Sequence, residues 1–188
     1  MAHDSDTFQT VIEFTAGKIN DVAMSPTHNY ALTVAEDGMI KVWDYVRKAV
    51  TFQQMYSGSG TCLEHMGHSD GNKGRVCAVG YSNGLVRILS ITADGIQLLK
   101  AFKAHDDAIA CLKYTEDMKC ICTASVKGDI FFFDIDGTDN IQKFEPLCTV
   151  KLPDDAGIND FKFNDDDQCI TFGCNTGFVY EIERPVTS

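Results

Sequence analysis

The chain has 188 residues, which is enough for one compact domain with a sizeable core or for two very small ones. Its apolar fraction of 44% and charged fraction of 23% exclude a mainly disordered protein. A net charge of -11 argues against binding to nucleic acid or to anionic membranes. Because the sequence contains no long apolar run and no secretion signal, we expect a protein of the cell interior without a membrane span.

A fourfold repeat organises the chain. Its clearest markers are four glycines, 44 to 49 residues apart, at Gly38, Gly84, Gly128 and Gly177. Each glycine stands between two short apolar runs. Because glycine adopts a positive φ without steric cost, this arrangement predicts a β-hairpin with a tight turn in every unit.

Two further runs complete each unit. An inner run precedes every hairpin, and in chain order these runs begin at Ile19, Thr61, Ile109 and Ile158. An outer run follows the first three hairpins, at residues 50–52, 96–99 and 147–152. Units of four strands that recur every 40 to 45 residues or so are typical of propeller blades. We therefore predict an all-β fold, a β-propeller of four-stranded antiparallel blades.

The predicted domain covers residues 1–188, with blades at about 15–56, 57–102, 103–152 and 153–183. The fourth unit has no outer run of its own. The segment Thr7 to Phe14 alternates like an outer strand, and pairing it with the last blade would close the ring and cover two open sheet edges. Alternatively, the chain is part of a larger propeller that a partner or a second copy completes.

Several residues within the repeat resemble the WD-repeat family. Trp43 and Asp44 end the third strand of the first unit, and Asp37 occupies the turn position of the family. His105 precedes the third inner strand, and Ser125 is assigned as the hydroxyl of the second strand. No unit keeps the full set, so the resemblance implies a hydrogen-bond relay that is broken in every blade. Blade rigidity must then come mainly from apolar packing.

A narrower resemblance, to the propeller region of axonemal WD-repeat proteins, rests on residues 17–20, 24–28, 78–81, 83–87, 101–105 and 131–134. It implies a structural role in motile cilia, in the tether that holds an inner-arm dynein motor near the microtubule. The expected location is the cytoplasm, at the axoneme of a cilium or flagellum. The alternative is a general cytoplasmic WD-repeat adaptor.

The eight cysteines predict neither a disulfide framework nor a metal site. Six of them lie in apolar, β-prone runs, where a thiol packs as a small hydrophobic group and stays reduced inside the cell. The spacing Cys120-x-Cys122 is not the usual two-residue spacing of a zinc knuckle. We therefore expect no metal and no other cofactor.

One motif suggests an enzyme. The run 131–138 ends an apolar strand in Asp134-Ile135-Asp136-Gly137-Thr138, which resembles the first motif of haloacid-dehalogenase-type phosphatases. There, the first aspartate attacks a phosphoryl group and the second protonates the leaving group. That chemistry needs a parallel α/β sheet, whereas here Asp134 matches Asp44 in the repeat. We predict a non-enzymatic protein, with a phosphatase that uses Asp134 and Asp136 as the alternative.

The predicted activity is protein docking, because loops on a rigid propeller display variable side chains to partners. The expected partners are other proteins, axonemal or dynein-associated if the narrower resemblance holds, and neither nucleic acid nor membrane. The alternative is self-association that completes a larger propeller. The candidate docking surface lies at the starts of the inner strands and consists of Lys18, Asn20, Asp21, Ser59, Thr61, Asp107, Ala108, Gly157 and Asn159.

Overall fold

The computed structural model describes residues 17–66, 75–115, 120–134, 146–164 and 168–184. Within these ranges the fold is all-β apart from one 3₁₀ turn at Pro153–Asp155. The strands are β1 (Ile19–Met24), β2 (Tyr30–Ala35), β3 (Met39–Asp44), β4 (Ala49–Met55), β5 (Gly60–Met66), β6 (Val76–Tyr81), β7 (Leu85–Thr92), β8 (Gly95–Lys103), β9 (Ile109–Thr115), β10 (Cys120–Ser125), β11 (Asp129–Asp134), β12 (Cys148–Lys151), β13 (Ile158–Phe163), β14 (Cys169–Cys174) and β15 (Val179–Glu183). Within the described ranges, no helical segment has the length and hydrophobicity that a membrane span requires.

These strands form three four-stranded sheets and one three-stranded sheet, in the orders β1-β2-β3-β4, β5-β6-β7-β8, β9-β10-β11-β12 and β13-β14-β15. All pairings between the described strands are antiparallel. Each sheet is one blade, so the predicted propeller is confirmed. The second inner strand, predicted only around Thr61, is the complete strand β5. The strand predicted at Thr7 to Phe14 lies outside the described residues.

The core consists of apolar clusters between successive blades. Leu32 and Ile40 of blade 1 pack with Leu89 of blade 2, and similar clusters join blade 2 to blade 3 and blade 3 to blade 4. Successive residues of a strand point to opposite faces, so Phe133 packs toward blade 2 whereas Phe132 packs toward blade 4. The expectation that apolar packing holds the blades together is therefore met in these three interfaces.

The thiols belong to this core. Six of the eight cysteines are buried, and all eight are unpaired by disulfides. Burial raises the pKa of the Cys77 thiol to about 12. Because the thiolate is the reactive form of cysteine, this side chain acts as a small apolar group of the core and not as a nucleophile.

The WD-type relay is divided between two blades. In blade 1, Trp43 Nε1 donates a hydrogen bond to Thr33 Oγ1 at 3.0 Å. In blade 3, His105 Nε2 lies 2.8 Å from Thr123 Oγ1, and the imidazole stacks on the Phe131 ring with the centroids 4.4 Å apart. Each of these blades thus keeps one half of the relay.

The prediction of Ser125 as the relay hydroxyl is wrong, because Thr123, two residues earlier on the same face of β10, occupies that position. The Ser125 hydroxyl instead accepts hydrogen bonds from the amides of Lys127 at 3.2 Å and Asp129 at 3.1 Å. It therefore stabilises the hairpin turn before β11, as Asp37 does before β3 by accepting the Met39 amide at 2.9 Å.

His105 predicts a dependence of stability on pH. Burial lowers the pKa of its imidazole to about 4, against the opposing charges of Asp129, Asp107 and Asp106. Because this value lies below that of an unfolded histidine, the unfolded chain binds more protons between about pH 4 and 6.5, and stability rises with pH across that window. We expect the His105 contribution, about 3 kcal/mol, to be complete above the window and lost below it.

Urea unfolding at several pH values between 4 and 7 measures this effect. The variant His105→Asn should show a shallower loss of stability on acidification than the unmodified protein. The matched control, His28→Asn, replaces a more exposed histidine and leaves His105 in place, so the loss of stability that we assign to His105 should remain. An identical pH dependence in His105→Asn and the unmodified protein would contradict the assignment.

Candidate protein-docking surface

The predicted docking residues lie at equivalent positions in the four blades, around the start of each inner strand. Just before or at the start of each inner strand, one backbone carbonyl accepts a hydrogen bond from an amide beside the hairpin turn of the same blade. These bonds, 2.8 to 3.0 Å long, run from Glu36 to Lys18, from Ser82 to Ser59, from Val126 to Ala108 and from Asn175 to Gly157. The fold therefore brings the predicted residues to one face of the propeller, which we call the rim face.

Exposure differs among the predicted residues. Lys18, Asn20 and Asn159 are exposed, whereas Asp21, Ser59, Thr61, Asp107 and Ala108 are half-buried. Asp107 forms an ion pair with Lys127 at 2.9 Å. Gly157 is buried, and a Cβ there would lie 2.3 Å from the Val126 carbonyl oxygen. Gly157 thus shapes the rim face without presenting a side chain to a partner.

Two of these polar side chains join blade 1 to blade 2. Asn20 Nδ2 donates to the Gly60 carbonyl at 2.7 Å, and Asp21 Oδ2 accepts the Leu63 amide at 2.8 Å. The other Asp21 oxygen accepts the amide of Val22 at 2.8 Å. These groups hold the inner strands β1 and β5 together, so on the rim face Lys18 and Asn159 are the exposed side chains with the clearer capacity to meet a partner.

An ion pair between inner strands was missed in the sequence. Lys113 Nζ of β9 lies 3.0 Å from Glu64 Oε2 of β5, which links blade 3 to blade 2. Burial by itself would lower the pKa of the Lys113 ammonium, but the Glu64 bond and the charges of Asp160 and Asp21 outweigh it and raise that pKa. Lys113 therefore stays charged and offsets several carboxylates near the propeller axis. One indication of a charged cluster between inner strands was present in the sequence, because Asp21 and Asp160 occupy the same position of the repeat.

This axial arrangement points to a structural role. Among the described residues, no group of three or more His, Cys, Asp or Glu side chains could hold a metal ion. The bond of Asp21 to Leu63 and the ion pair of Glu64 with Lys113 are made between neighbouring inner strands. They join the inner strands of blades 1 to 3, and Asp21 does so beside the rim positions at the start of β1.

The phosphatase alternative lacks its framework. Asp134 ends β11, and both partner strands of β11 run antiparallel to it. Asp136 lies outside the described residues. Because the phosphatase mechanism requires strand ends of a parallel sheet, a third blade strand is a poor position for the nucleophile.

A family model described as "WD domain, G-beta repeat" matches residues 8–44 and 96–134. These two stretches are WD40 repeats. The two matched stretches contain the two halves of the relay, with Trp43 in the first and His105 in the second. Units 2 and 4 of this WD40-repeat chain, which lack both residues, lie largely outside the matched stretches.

Relatives of this WD40-repeat chain carry a cilia-related name. It is 26% identical to cilia- and flagella-associated protein 44 of Chlamydomonas reinhardtii over 163 residues, covering 76% of the chain and 9% of that protein. The protein of the same name from Trypanosoma brucei brucei is 26% identical over 177 residues, covering 93% of the chain and 10% of the relative. The chain thus spans about a tenth of the length of these relatives.

A solved structure supports the same architecture. The crystal structure of the computationally designed Ika4 protein superposes with a TM-score of 0.71. The match covers 94% of this chain and 99% of the designed chain at 19% sequence identity. At that identity the similarity concerns the propeller fold alone.

Proposed function

We propose that this WD40-repeat chain is a non-enzymatic protein-interaction scaffold of the ciliary or flagellar axoneme. The observation that carries the proposal is the similarity to relatives named cilia- and flagella-associated protein 44, which extends over 76% and 93% of the chain. The finer role is that of a dynein tether, with axonemal or dynein-associated proteins as partners. A general cytoplasmic adaptor is the second candidate, because WD repeats of the same kind serve unrelated functions.

The geometry of the rim face supports docking over catalysis. Backbone hydrogen bonds hold the four positions that precede the inner strands, so the exposed side chains of Lys18 and Asn159 can vary without changing the blades. Lys18 and Asn159 are exposed there, whereas Asp21, Glu64 and Lys113 are occupied by contacts between blades. The rim face therefore presents exposed side chains to a partner protein on a rigid propeller.

Cell fractionation tests the ciliary part of the proposal. A fluorescent fusion of the chain in a flagellated cell is expected to run along the axoneme and to remain there after detergent extraction. A fluorescent protein without the chain is the control and should be extracted. A uniform cytosolic signal that detergent removes completely would return the protein to the class of general adaptors.

A rim variant tests the docking surface in the same assay. We expect Lys18→Glu combined with Asn159→Arg to lower the detergent-resistant fraction about tenfold, because one or two central contacts carry much of a docking energy. The variant should melt at the original temperature, since both side chains are exposed. Gln97→Glu, which changes the net charge by the same amount at an exposed position of the outer strand β8, is the matched control and should retain the axonemal signal.

A further inference from the structure

A groove of about 340 Å³ lies between blades 1 and 2, at the ends of the strands opposite to the rim face. It opens between the turns β1–β2 and β3–β4 of blade 1 and the residues that flank β6 and β7 in blade 2. Its floor includes the apolar side chains of Val42, Phe52 and Ile91. A groove of this size accommodates one or two side chains of a peptide and not a folded domain.

The border of the groove is basic. His28, Arg47 and Arg75 line it, and Arg75 Nε donates to His28 Nε2 at 3.3 Å. Arg47 Nε lies 3.6 Å from Asp44 Oδ2, and the Arg47 side chain is 80% exposed, so this ion pair is weak. No ion pair joins Arg75 to a carboxylate within the described ranges. The guanidinium groups are thus available to an anionic partner.

The Asp44 carboxylate also lines the groove and offsets only one of the two guanidinium charges. Its Oδ1 accepts the amides of Val46 and Arg47 at 3.0 and 2.8 Å, which holds the β3–β4 turn in place. The same turn exposes apolar surface, since Tyr45 is 40% and Val46 is 65% exposed. Basic and apolar groups therefore stand side by side at the mouth of the groove.

We propose that this groove docks an acidic peptide segment of a partner protein, with one apolar side chain of the peptide on the Val42, Phe52 and Ile91 floor. Carboxylates on either side of that anchor would pair with Arg47 and Arg75, because the planar guanidinium group matches a carboxylate in two-point hydrogen bonding. The net charge of -11 repels such a segment from the chain as a whole, so the local basic border confers selectivity for this groove. The proposal goes beyond the rim-face function and does not depend on it.

Selection from a phage-displayed library of random dodecapeptides tests the proposal. The immobilised targets are the unmodified protein, the groove variant Arg47→Glu/Arg75→Glu and the matched rim-face variant Lys18→Glu/Lys103→Glu. Lys103 pairs with Leu85 beside the Gly84 turn at the rim face, and the two exposed lysines give the same change of net charge. Peptides selected on the unmodified protein and on the rim-face variant should carry Asp or Glu on both sides of an aromatic or aliphatic residue. On the groove variant this enrichment should vanish.

The most enriched peptide is then synthesised for fluorescence anisotropy. The groove variant is expected to weaken its Kd at least about tenfold and the rim-face variant less than about twofold, with binding to the unmodified protein weakening as salt rises. Peptides without acidic enrichment, or an equal loss in both variants, would overturn the proposal. A dimer of the unmodified protein that the groove variant dissociates would also overturn it, because the occupant would then be a second copy of the chain. The two proposals fail separately: Lys18→Glu combined with Asn159→Arg should lose axonemal retention while it still binds the peptide.

Discussion

Replacing Gly84 with alanine is expected to lower the free energy of unfolding by about 4 kcal/mol. Gly84 has a φ of 77°, and a Cβ there would lie 1.9 Å from the His105 carbonyl oxygen. The obstacle is backbone, which cannot move aside as a flexible side chain does. The segment is also held in place, since the Gly84 carbonyl accepts the amides of Ala104 and His105 at 2.9 and 3.2 Å.

Gly177 provides a matched control for that substitution. It occupies the same turn position in blade 4 with a φ of 83°, but no described atom lies within 4 Å of a Cβ built there. Gly177→Ala should therefore cost only the strain of a positive φ, about 1 to 2 kcal/mol. Urea unfolding of both variants separates strain from steric overlap. Equal losses of unfolding free energy in the two variants would show that overlap with the segment after β8 adds nothing to the cost of Gly84→Ala.

Deleting residues 1–15 is expected to destabilise the protein by several kcal/mol, about the contribution of two or three buried apolar side chains. The apolar pattern of Phe8, Ile12 and Phe14 predicts that Thr7 to Phe14, outside the described residues, is the outer strand of blade 4. In the described residues β15 is the edge of a three-stranded sheet. Without a partner strand, such an edge invites strand addition, so the truncated chain should also form larger species in light scattering.

The control for this deletion removes residues 1–6 only, which lie before the proposed strand. It should melt at the same temperature as the unmodified protein. The substitutions Phe8→Ser, Ile12→Ser and Phe14→Ser together should reproduce most of the stability lost in the full deletion. If the full deletion leaves the melting temperature and the particle size unchanged, the segment is a tail. Closure of the ring would then require a partner.

The blades were predictable because their signals are local. A glycine such as Gly128 between two apolar runs specifies a hairpin through its own backbone freedom, and the same pattern recurs at a steady spacing. The strand β5 was predicted only around Thr61. Its complete length, Gly60–Met66, depends on its antiparallel pairing with β6 along most of that strand.

The relay shows where residue-by-residue comparison failed. Thr123 and Ser125 are both hydroxyl residues on the same face of β10, and the sequence does not show which of them lies beside the His105 imidazole. The choice was made by the path of the segment after β8, which places the His105 ring over Phe131 and beside Thr123. Such a path is a property of the packing between two sheets.

The number of repeats, the alternation of buried positions and the starts of the inner strands follow from the order of residues, because each depends on neighbours within a strand or a turn. Contacts between blades do not. The Asp21 bond to Leu63, the Glu64 pair with Lys113 and the shared groove of Arg47 and Arg75 join residues that are far apart along the chain. The twist of each sheet and the fit of neighbouring blades determine which of these side chains meet, and those quantities exist only in the folded chain.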